Sequence, residues 1–137
     1  MIVMYPRGEH IKELFKTGGI SMFYKGVELY EKDGKIGVLV SPGFGAGWST
    51  WNCPQLAYDK RVIEYWMGQK GLDLYNDEMM EKVESQFSAW GYEYTYFGGY
   101  NKLKLKWVAK GEPFQISEYD GFEELKVLDM KDYIVFS

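Results

Sequence analysis

The sequence predicts an α+β fold in which residues 1–137 form a single domain, with a mainly antiparallel sheet and two or three helices packed on it. Segments with helical periodicity and segments with strand periodicity occur in separate blocks, an order typical of α+β proteins. Several strand-like segments are joined by the glycine-containing turns of β-hairpins. The length of 137 residues and the 46% hydrophobic content provide one ordinary core and exclude two full-size domains.

A first, short helix is predicted at residues 9–17. Ile11, Leu14 and Phe15 fall on one helical face. Two glycines follow directly, and glycine after the last periodic residue is a common helix stop. We therefore expect the helix to end at these glycines.

A β-hairpin is predicted next. Residues 22–30 mix apolar and polar side chains over a length typical of a strand, and residues 36–40 form a second strand. Asp33-Gly34, between the two, is a common hairpin turn. Because residues 36–40 carry no polar side chain, we expect this strand to be buried on both faces.

Two amphipathic helices are predicted in the middle of the chain. The first spans residues 59–68 and begins with Asp59, a residue type that often caps helix N-termini. The second begins at Asn76 or Asp77, carries acidic residues in its first turn and ends near Gly91. Both helices are expected to pack on the core through apolar stripes, which consist of Val62, Ile63 and Trp66 in the first and of Met79, Met80, Val83 and Phe87 in the second.

The remaining strands follow Gly91, where the hydrophobic period changes from helical to alternating. Asp120-Gly121 is a second hairpin signal among them. The predicted strands are residues 92–97, 102–107, 114–119 and 123–128, with an edge strand at 133–136.

Residues 41–52 form a predicted loop that is the most specific local feature of the sequence. They follow neither a helical nor a strand period and carry glycines at positions 43, 45 and 47. Glycine lets a ligand approach the backbone closely, and the neighbouring aromatic rings offer flat faces for stacking. The loop is not a Walker A loop, since no Lys-Ser/Thr pair follows the glycines, and it is not a G-x-G-x-x-G dinucleotide-binding loop.

Two interpretations of this loop are open. In the first, its backbone N–H groups and tryptophans bind a planar, anionic ligand of nucleotide type. In the second, its tryptophans fill the core between the sheet and the helices. The candidate ligand-binding residues are Phe44, Gly45, Gly47, Trp48, Ser49, Thr50, Trp51 and Asn52, together with Lys104 and Lys106.

Charge is segregated in the second half of the chain. Residues 98–110 contain four lysines and no acidic residue, whereas residues 112–132 contain seven acidic residues and two lysines. Lys102, Lys104 and Lys106 alternate along one predicted strand and therefore share a face. Such a row can hold phosphates while neighbouring tyrosines stack bases. The alternative is a solvated face, or an edge strand that lysine protects from aggregation.

Chemistry beyond binding has few candidates. A single cysteine, Cys53, and a single histidine, His10, exclude an intrachain disulfide and a typical zinc site. We therefore expect no metal, no cofactor and no catalytic residues. A small metal-dependent nucleotide hydrolase that uses Asp59, Glu118 or Asp120 is a weaker alternative.

The net charge of -4 gives no overall attraction to nucleic acid or to anionic lipid, so no general binding to either is expected. The N-terminal residues do not have the pattern of a signal peptide, and no apolar run is long enough to cross a bilayer. Together with the single cysteine, these features predict a cytoplasmic protein.

Two stretches of the sequence resemble a group of small bacteriophage and prophage proteins. The first runs from Gly37 to Asn52 and contains PGFGAGWSTW, and the second, which is looser, runs from Gly98 to Gly121 and contains LKLKWV. Small accessory phage proteins often counter host defence, either by binding a defence protein or by sequestering a nucleotide signal. The resemblance therefore implies an accessory protein of this kind in the host cytoplasm.

These observations predict a non-enzymatic protein that sequesters a small nucleotide-like signal in a pocket lined by glycine and aromatic residues, between subunits of a homo-oligomer. Trp48 and Trp51 would stack the base, and Lys104 or Lys106 would neutralise phosphate charge. The alternative is a protein–protein inhibitor of a host defence protein, with exposed aromatic residues and the acidic residues of 112–132 as its interface.

Overall fold

Nine strands and two helices form the fold in the computed structural model, which describes residues 2–5, 12–16, 19–43, 47–50, 53–69, 77–93, 99–110 and 112–127. The strands are β1 (Ile2–Tyr5), β2 (Lys12–Lys16), β3 (Gly19–Tyr24), β4 (Val27–Glu28), β5 (Glu31–Lys32), β6 (Lys35–Val40), β7 (Lys104–Ala109), β8 (Phe114–Tyr119) and β9 (Phe122–Val127). The helices are α1 (Lys60–Gln69) and α2 (Asp77–Ala89), and short 3-10 helices span Pro54–Ala57 and Tyr100–Lys102.

All strand pairings in the described residues are antiparallel. They form three three-stranded sheets with the orders β1-β8-β9, β2-β3-β4 and β5-β6-β7. The α+β class and the mainly antiparallel sheet are therefore as the sequence predicts. No helix in the described residues is long and apolar enough to span a membrane.

The helix predicted at residues 9–17 is wrong. Residues 12–16 form β2, which pairs with β3 in a register that places Leu14 opposite Ser21. Gly19, expected to stop a helix, is instead the first residue of β3. Three apolar positions in nine residues fit either structure, and an isolated helix of this length is only marginally stable. The pairing with β3 decides in favour of the strand.

Three hairpins turn through pairs of residues with positive φ, the geometry of a type I′ turn. The pairs are Lys25-Gly26 (51° and 79°), Asp33-Gly34 (53° and 77°) and Asp120-Gly121 (49° and 86°). The second and third turns confirm the sequence prediction. The first was not predicted, because lysine is not a typical turn residue. It divides the single strand predicted at residues 22–30, since β3 ends at Tyr24 and β4 contains only Val27 and Glu28.

Both amphipathic helices are confirmed. Asp59 caps α1: its Oδ1 accepts a hydrogen bond from the Arg61 N–H at 2.8 Å, and its carbonyl accepts one from the Ile63 N–H at 3.0 Å. Helix α2 is followed by Gly91 with a φ of 95°, the left-handed conformation that ends many helices. The buried residues include Val62, Ile63 and Trp66 on α1 and Val83 and Phe87 on α2.

Strand β6 is buried on both faces from Ile36 to Val40, which confirms the prediction. Ile36, Val38 and Val40 belong to a core cluster that includes Phe114 and Ile116 of β8. Leu39 points the other way, into a second cluster formed with α1 and α2. This strand therefore separates two cores, and we call the one that contains residues of α1 and α2 the helical core. The neighbouring strand β7 contributes Val108 to the first core and packs Leu105 against the helical core.

Some predicted elements fall outside the described residues. Residues 94–97 of the strand predicted at 92–97 are among them, as is the edge strand predicted at 133–136. Tyr92 and Glu93 are described and belong to no strand. The strands predicted at 102–107, 114–119 and 123–128 correspond to β7, β8 and β9, except that Lys102 belongs to the 3-10 helix before β7.

Candidate functional site

The glycine-rich loop is described only in part, at residues 41–43 and 47–50. This part forms no helix or strand, as the sequence predicts. Four of the predicted ligand-binding residues lie outside the described residues, namely Phe44, Gly45, Trp51 and Asn52.

Trp48 is fully buried, with 0% exposure, and this corrects the prediction that it stacks on a ligand. Its ring packs against Phe87 of α2 and against Tyr100, with ring centroids 6.0 Å apart in each case. Gly47, also buried, accepts a hydrogen bond from the Gly99 N–H at 3.1 Å through its carbonyl. Trp48 therefore fills the helical core, which is the second of the two interpretations of this loop, and offers no open face.

Ser49 and Thr50 are buried and bind a carboxylate of the protein itself. Glu123 of β9, 2% exposed, accepts hydrogen bonds from the Thr50 N–H at 2.9 Å and from the Thr50 hydroxyl at 2.6 Å. It also accepts from the Ser41 N–H at 3.1 Å and, over a longer 3.5 Å, from the Ser49 hydroxyl. We call these four residues the Glu123 cluster. It ties both described ends of the glycine-rich loop to β9.

Burial raises the pKa of Glu123, because removal from water disfavours the charged form, and the hydrogen bonds from Thr50, Ser41 and Ser49 oppose this shift. The Glu123 N–H also donates to the Ser41 carbonyl at 2.7 Å, so backbone and side chain act on the same loop. Sequence reasoning missed Glu123. The sequence feature that could have identified a buried carboxylate here is the pair Glu123-Glu124, because side chains alternate along a strand and one of two adjacent residues must point inward.

The carboxylates considered for hydrolysis have structural roles. Asp59 is fully buried and accepts hydrogen bonds from Arg61 and, at 2.8 Å, from the Tyr92 hydroxyl. Burial, followed by the bond to Asp59, raises the pKa of Tyr92. Glu118 accepts the Gly121 N–H at 2.9 Å in the hairpin turn that also contains Asp120. No group of three potential metal-binding side chains occurs among the described residues.

Lys104 and Lys106, the remaining candidates, are exposed on β7, which lies at the edge of its sheet as far as the chain is described. They line a hollow of about 410 Å³ between β7 and α1, which we call the β7 groove. Its apolar part includes Trp66, 8% exposed, and Met67, 42% exposed. The residues that line it are Trp66, Met67, Leu103, Lys104, Leu105 and Lys106.

Packing at the end of α1 fixes this groove. Gln69 and Tyr100 are both buried, and the Tyr100 hydroxyl donates a hydrogen bond to the Gln69 side-chain oxygen. Tyr100 lies four residues before β7, at the start of the short 3-10 helix Tyr100–Lys102. The bond therefore holds α1 and the start of β7 at a set separation.

A second hollow, of about 270 Å³, lies further along β7, and we call it the turn hollow. It is lined by Lys32, Asp33, Lys35 and Trp107. Trp107 is 39% exposed as a residue, and its ring packs against Tyr30 with ring centroids 5.7 Å apart. Trp107 and Leu105 are two residues apart on the same face of β7, so the two hollows are separated by about 7 Å along the strand.

Glycine at position 37 makes room for this arrangement. A Cβ there would lie 3.0 Å from the Tyr30 ring, 3.1 Å from Leu105 and 3.6 Å from the Trp107 ring. Because the first two distances are shorter than ordinary van der Waals contacts, a larger residue at position 37 would displace the side chains of Tyr30 and Leu105. Gly37 thus positions Trp107 close to the sheet.

Comparisons with protein-family models, with curated proteins and with solved structures found no significant match to this chain. The resemblance to phage proteins stays a prediction.

Proposed function

We propose that this chain is a non-enzymatic binding protein that sequesters a small, planar, anionic molecule of nucleotide type, and that the β7 groove binds it. The observation that carries the proposal is that Lys104 and Lys106 line the same hollow as the apolar side chains of Trp66 and Met67. The two lysines leave β7 on the face opposite Leu105, so to hold a phosphate in the groove their long side chains turn round the exposed edge of the strand. The proposed ligand site therefore lies at the edge of β7 and not in the glycine-rich loop, where Trp48 is buried.

The chemistry of the groove suits such a ligand. Small-molecule sites are mostly apolar concave surfaces of roughly 300–1,000 Å³ with a few polar groups, and the groove of about 410 Å³ falls in this range. The two lysines can neutralise a phosphate, while the apolar side chains cover the base and sugar. In the phage context that the resemblance implies, the ligand would be a signalling nucleotide of the host, removed from its receptor by capture alone.

Thermal-shift measurements with cyclic dinucleotides, cyclic trinucleotides and ADP-ribose derivatives test this proposal. A ligand at a hundred times its Kd stabilises the folded state by about 2.7 kcal/mol, which gives a clear rise in Tm. The variant Lys104→Glu/Lys106→Glu should lose this rise. Lys126→Glu, an exposed lysine of β9 that lines neither hollow, should retain it. Absence of any shift with every compound at millimolar concentration would rule the proposal out.

A second candidate function, inhibition of a host protein by direct contact, is favoured by one observation. Tyr119 is 77% exposed at the end of the β8–β9 hairpin, next to Asp120 and close to the exposed Glu124. An exposed tyrosine is a common energetic anchor of protein interfaces. A stoichiometric protein that co-purifies with the wild type, and not with Tyr119→Ser, would favour this function. A small molecule released on heating would favour sequestration.

A further inference from the structure

We propose that the turn hollow is a binding site for a small aromatic carboxylate, whose ring stacks on Trp107 and whose carboxylate lies between Lys32 and Lys35. This site is separate from the β7 groove, so the inference goes beyond the proposed function and does not depend on it. Lys104 and Lys106 leave β7 on the opposite face of the sheet and take no part in the turn hollow.

The strand register places the residues that line the turn hollow on one face of the sheet. Trp107 lies opposite Gly37, and Lys35 lies two residues before that glycine on β6, so the indole and the Lys35 side chain point the same way. Lys32 lies directly opposite Lys35 and therefore shares this face. Asp33 completes the lining from the turn that joins β5 to β6. The charged groups and the indole thus surround a single hollow.

The indole of Trp107 is held in place and keeps an open side. A Cβ at Gly37 would lie 3.0 Å from the Tyr30 ring and 3.6 Å from the Trp107 ring, so both rings lie over this glycine. They pack on each other with ring centroids 5.7 Å apart, yet Trp107 remains 39% exposed. The next residue of β7 on this face is Ala109, which lies opposite Lys35 and has only a methyl group. Trp107 is therefore a preformed surface on which a flat ring can stack.

The two lysines of the turn hollow have no anionic partner in the described part of the chain. Lys32 and Lys35 are exposed and directly opposed, and like charges in such positions destabilise a strand pair. Neither lysine forms an ion pair with a described residue, Asp33 included. An anion bound between the two lysines would remove their repulsion and accept charge-assisted hydrogen bonds from both.

Charge and size together select a small carboxylate. Two lysines and Asp33 leave one positive charge in excess, which matches the single negative charge of a carboxylate. A phosphate monoester carries a charge of about −1.5 to −2 at pH 7, and its second charge would be repelled by Asp33. The hollow of about 270 Å³ is smaller than the roughly 300–1,000 Å³ of drug-sized ligand sites, so it suits one ring with its acidic group.

NMR titration of isotope-labelled protein with phenylacetate tests the inference. A ligand of this size should bind with a Kd on the order of 1 mM. We expect the largest shifts at the indole N–H of Trp107 and at the main-chain N–H groups of Lys35 and Ala109, and none at Trp66 in the β7 groove. Phenylacetamide, which keeps the ring and lacks the charge, and cyclohexylacetate, which keeps the charge and lacks the aromatic ring, should each bind about fivefold more weakly.

Variants of the lining residues test the same site. Lys32→Gln/Lys35→Gln should weaken phenylacetate binding about tenfold, and Trp107→Leu should weaken it about fivefold. Lys82→Gln, an exposed lysine of α2 that lines neither hollow, is the matched control and should bind as the wild type does. An unchanged Tm of the double lysine variant verifies that its effect is not a loss of folding, and this variant decides the test if Trp107→Leu lowers the Tm.

Three outcomes would overturn the inference. Equal affinity for phenylacetate and phenylacetamide, or unchanged phenylacetate affinity in Lys32→Gln/Lys35→Gln, would show that the lysines hold no carboxylate. Shifts centred on Trp66 would place the ring in the β7 groove. Tighter binding of phenyl phosphate than of phenylacetate would contradict the choice of a single negative charge. Failure of every nucleotide to bind refutes the proposed function and leaves this site standing.

Discussion

Individual side chains in this protein show that a buried polar group can hold a loop without binding a ligand. Glu123 is 2% exposed and would be costly to bury without hydrogen bonds. The donors that it meets come from Ser41, Ser49 and Thr50. The serine and threonine that the sequence suggests for a ligand are thus used to satisfy a carboxylate of the same chain.

The Glu123 cluster gives a first prediction at the residue scale. Glu123→Ala leaves the buried N–H groups of Ser41 and Thr50 without their acceptor, and we expect the free energy of unfolding to fall by about 2–4 kcal/mol. Glu124→Ala, at the adjacent exposed position, should change it by less than about 0.5 kcal/mol. Urea denaturation of both variants measures the difference. Equal losses in the two would show that the cluster does not stabilise the loop.

The pKa of Glu123 gives a second prediction. Because its pKa in the folded protein is raised above the ordinary value of 4.5, the folded state holds this proton more firmly than the unfolded state. The resulting contribution to stability is full below pH 4.5 and is lost as the pH rises through the raised pKa. Glu123→Gln cannot titrate, so the wild type should lose stability relative to this variant over that range. Denaturation curves between about pH 4 and about pH 8 measure the difference; a constant difference would contradict the prediction.

At the scale of single elements, the sequence predicts well where the determinant is local. Asp33-Gly34 and Asp120-Gly121 are recognisable because few residues tolerate positive φ, and both turns occur as expected. The helices α1 and α2 are long enough for their apolar stripes to be unambiguous. The local pattern of residues 9–17 predicts a helix and is wrong, because the structure of β2 depends on its pairing with β3, which nine residues of sequence do not reveal.

Two glycines, one within α1 and one after α2, allow a comparison of two glycine-to-alanine substitutions at this scale. A Cβ would meet no atom within 4 Å at either Gly68 or Gly91. Gly68 lies inside α1, so Gly68→Ala should raise stability by about 0.5–1 kcal/mol through helix propensity. Gly91 has a φ of 95°, so Gly91→Ala should lower stability by about 1 kcal/mol through backbone strain alone. Thermal unfolding of the two variants compares them, and a shift of the same sign in both would refute the argument.

At the scale of the whole molecule, the candidate site was predictable only in part. Alternation in β7 identified Lys104 and Lys106 from the sequence alone, because period-two spacing survives in the fold. The burial of Trp48 was not predictable, since it depends on Phe87 and Tyr100, which are 39 and 52 residues away in the sequence. The turn hollow was missed for the same reason: β5, β6 and β7 bring Lys32, Lys35 and Trp107 together only through pairing.

Charge separation across the whole molecule leads to a last prediction, on ionic strength. Binding at exposed lysines is screened by salt, whereas the buried contacts of Glu123 and Asp59 are screened much less. Raising NaCl from about 50 mM to about 500 mM should therefore weaken nucleotide binding by tenfold or more while changing the Tm of the unliganded protein little. Calorimetric titration and thermal unfolding in the same buffers measure the two effects. Affinity that is unaffected by salt would mean that the lysines do not contact the phosphates, and the ligand would then have to be held by apolar contacts at Trp66 and Met67.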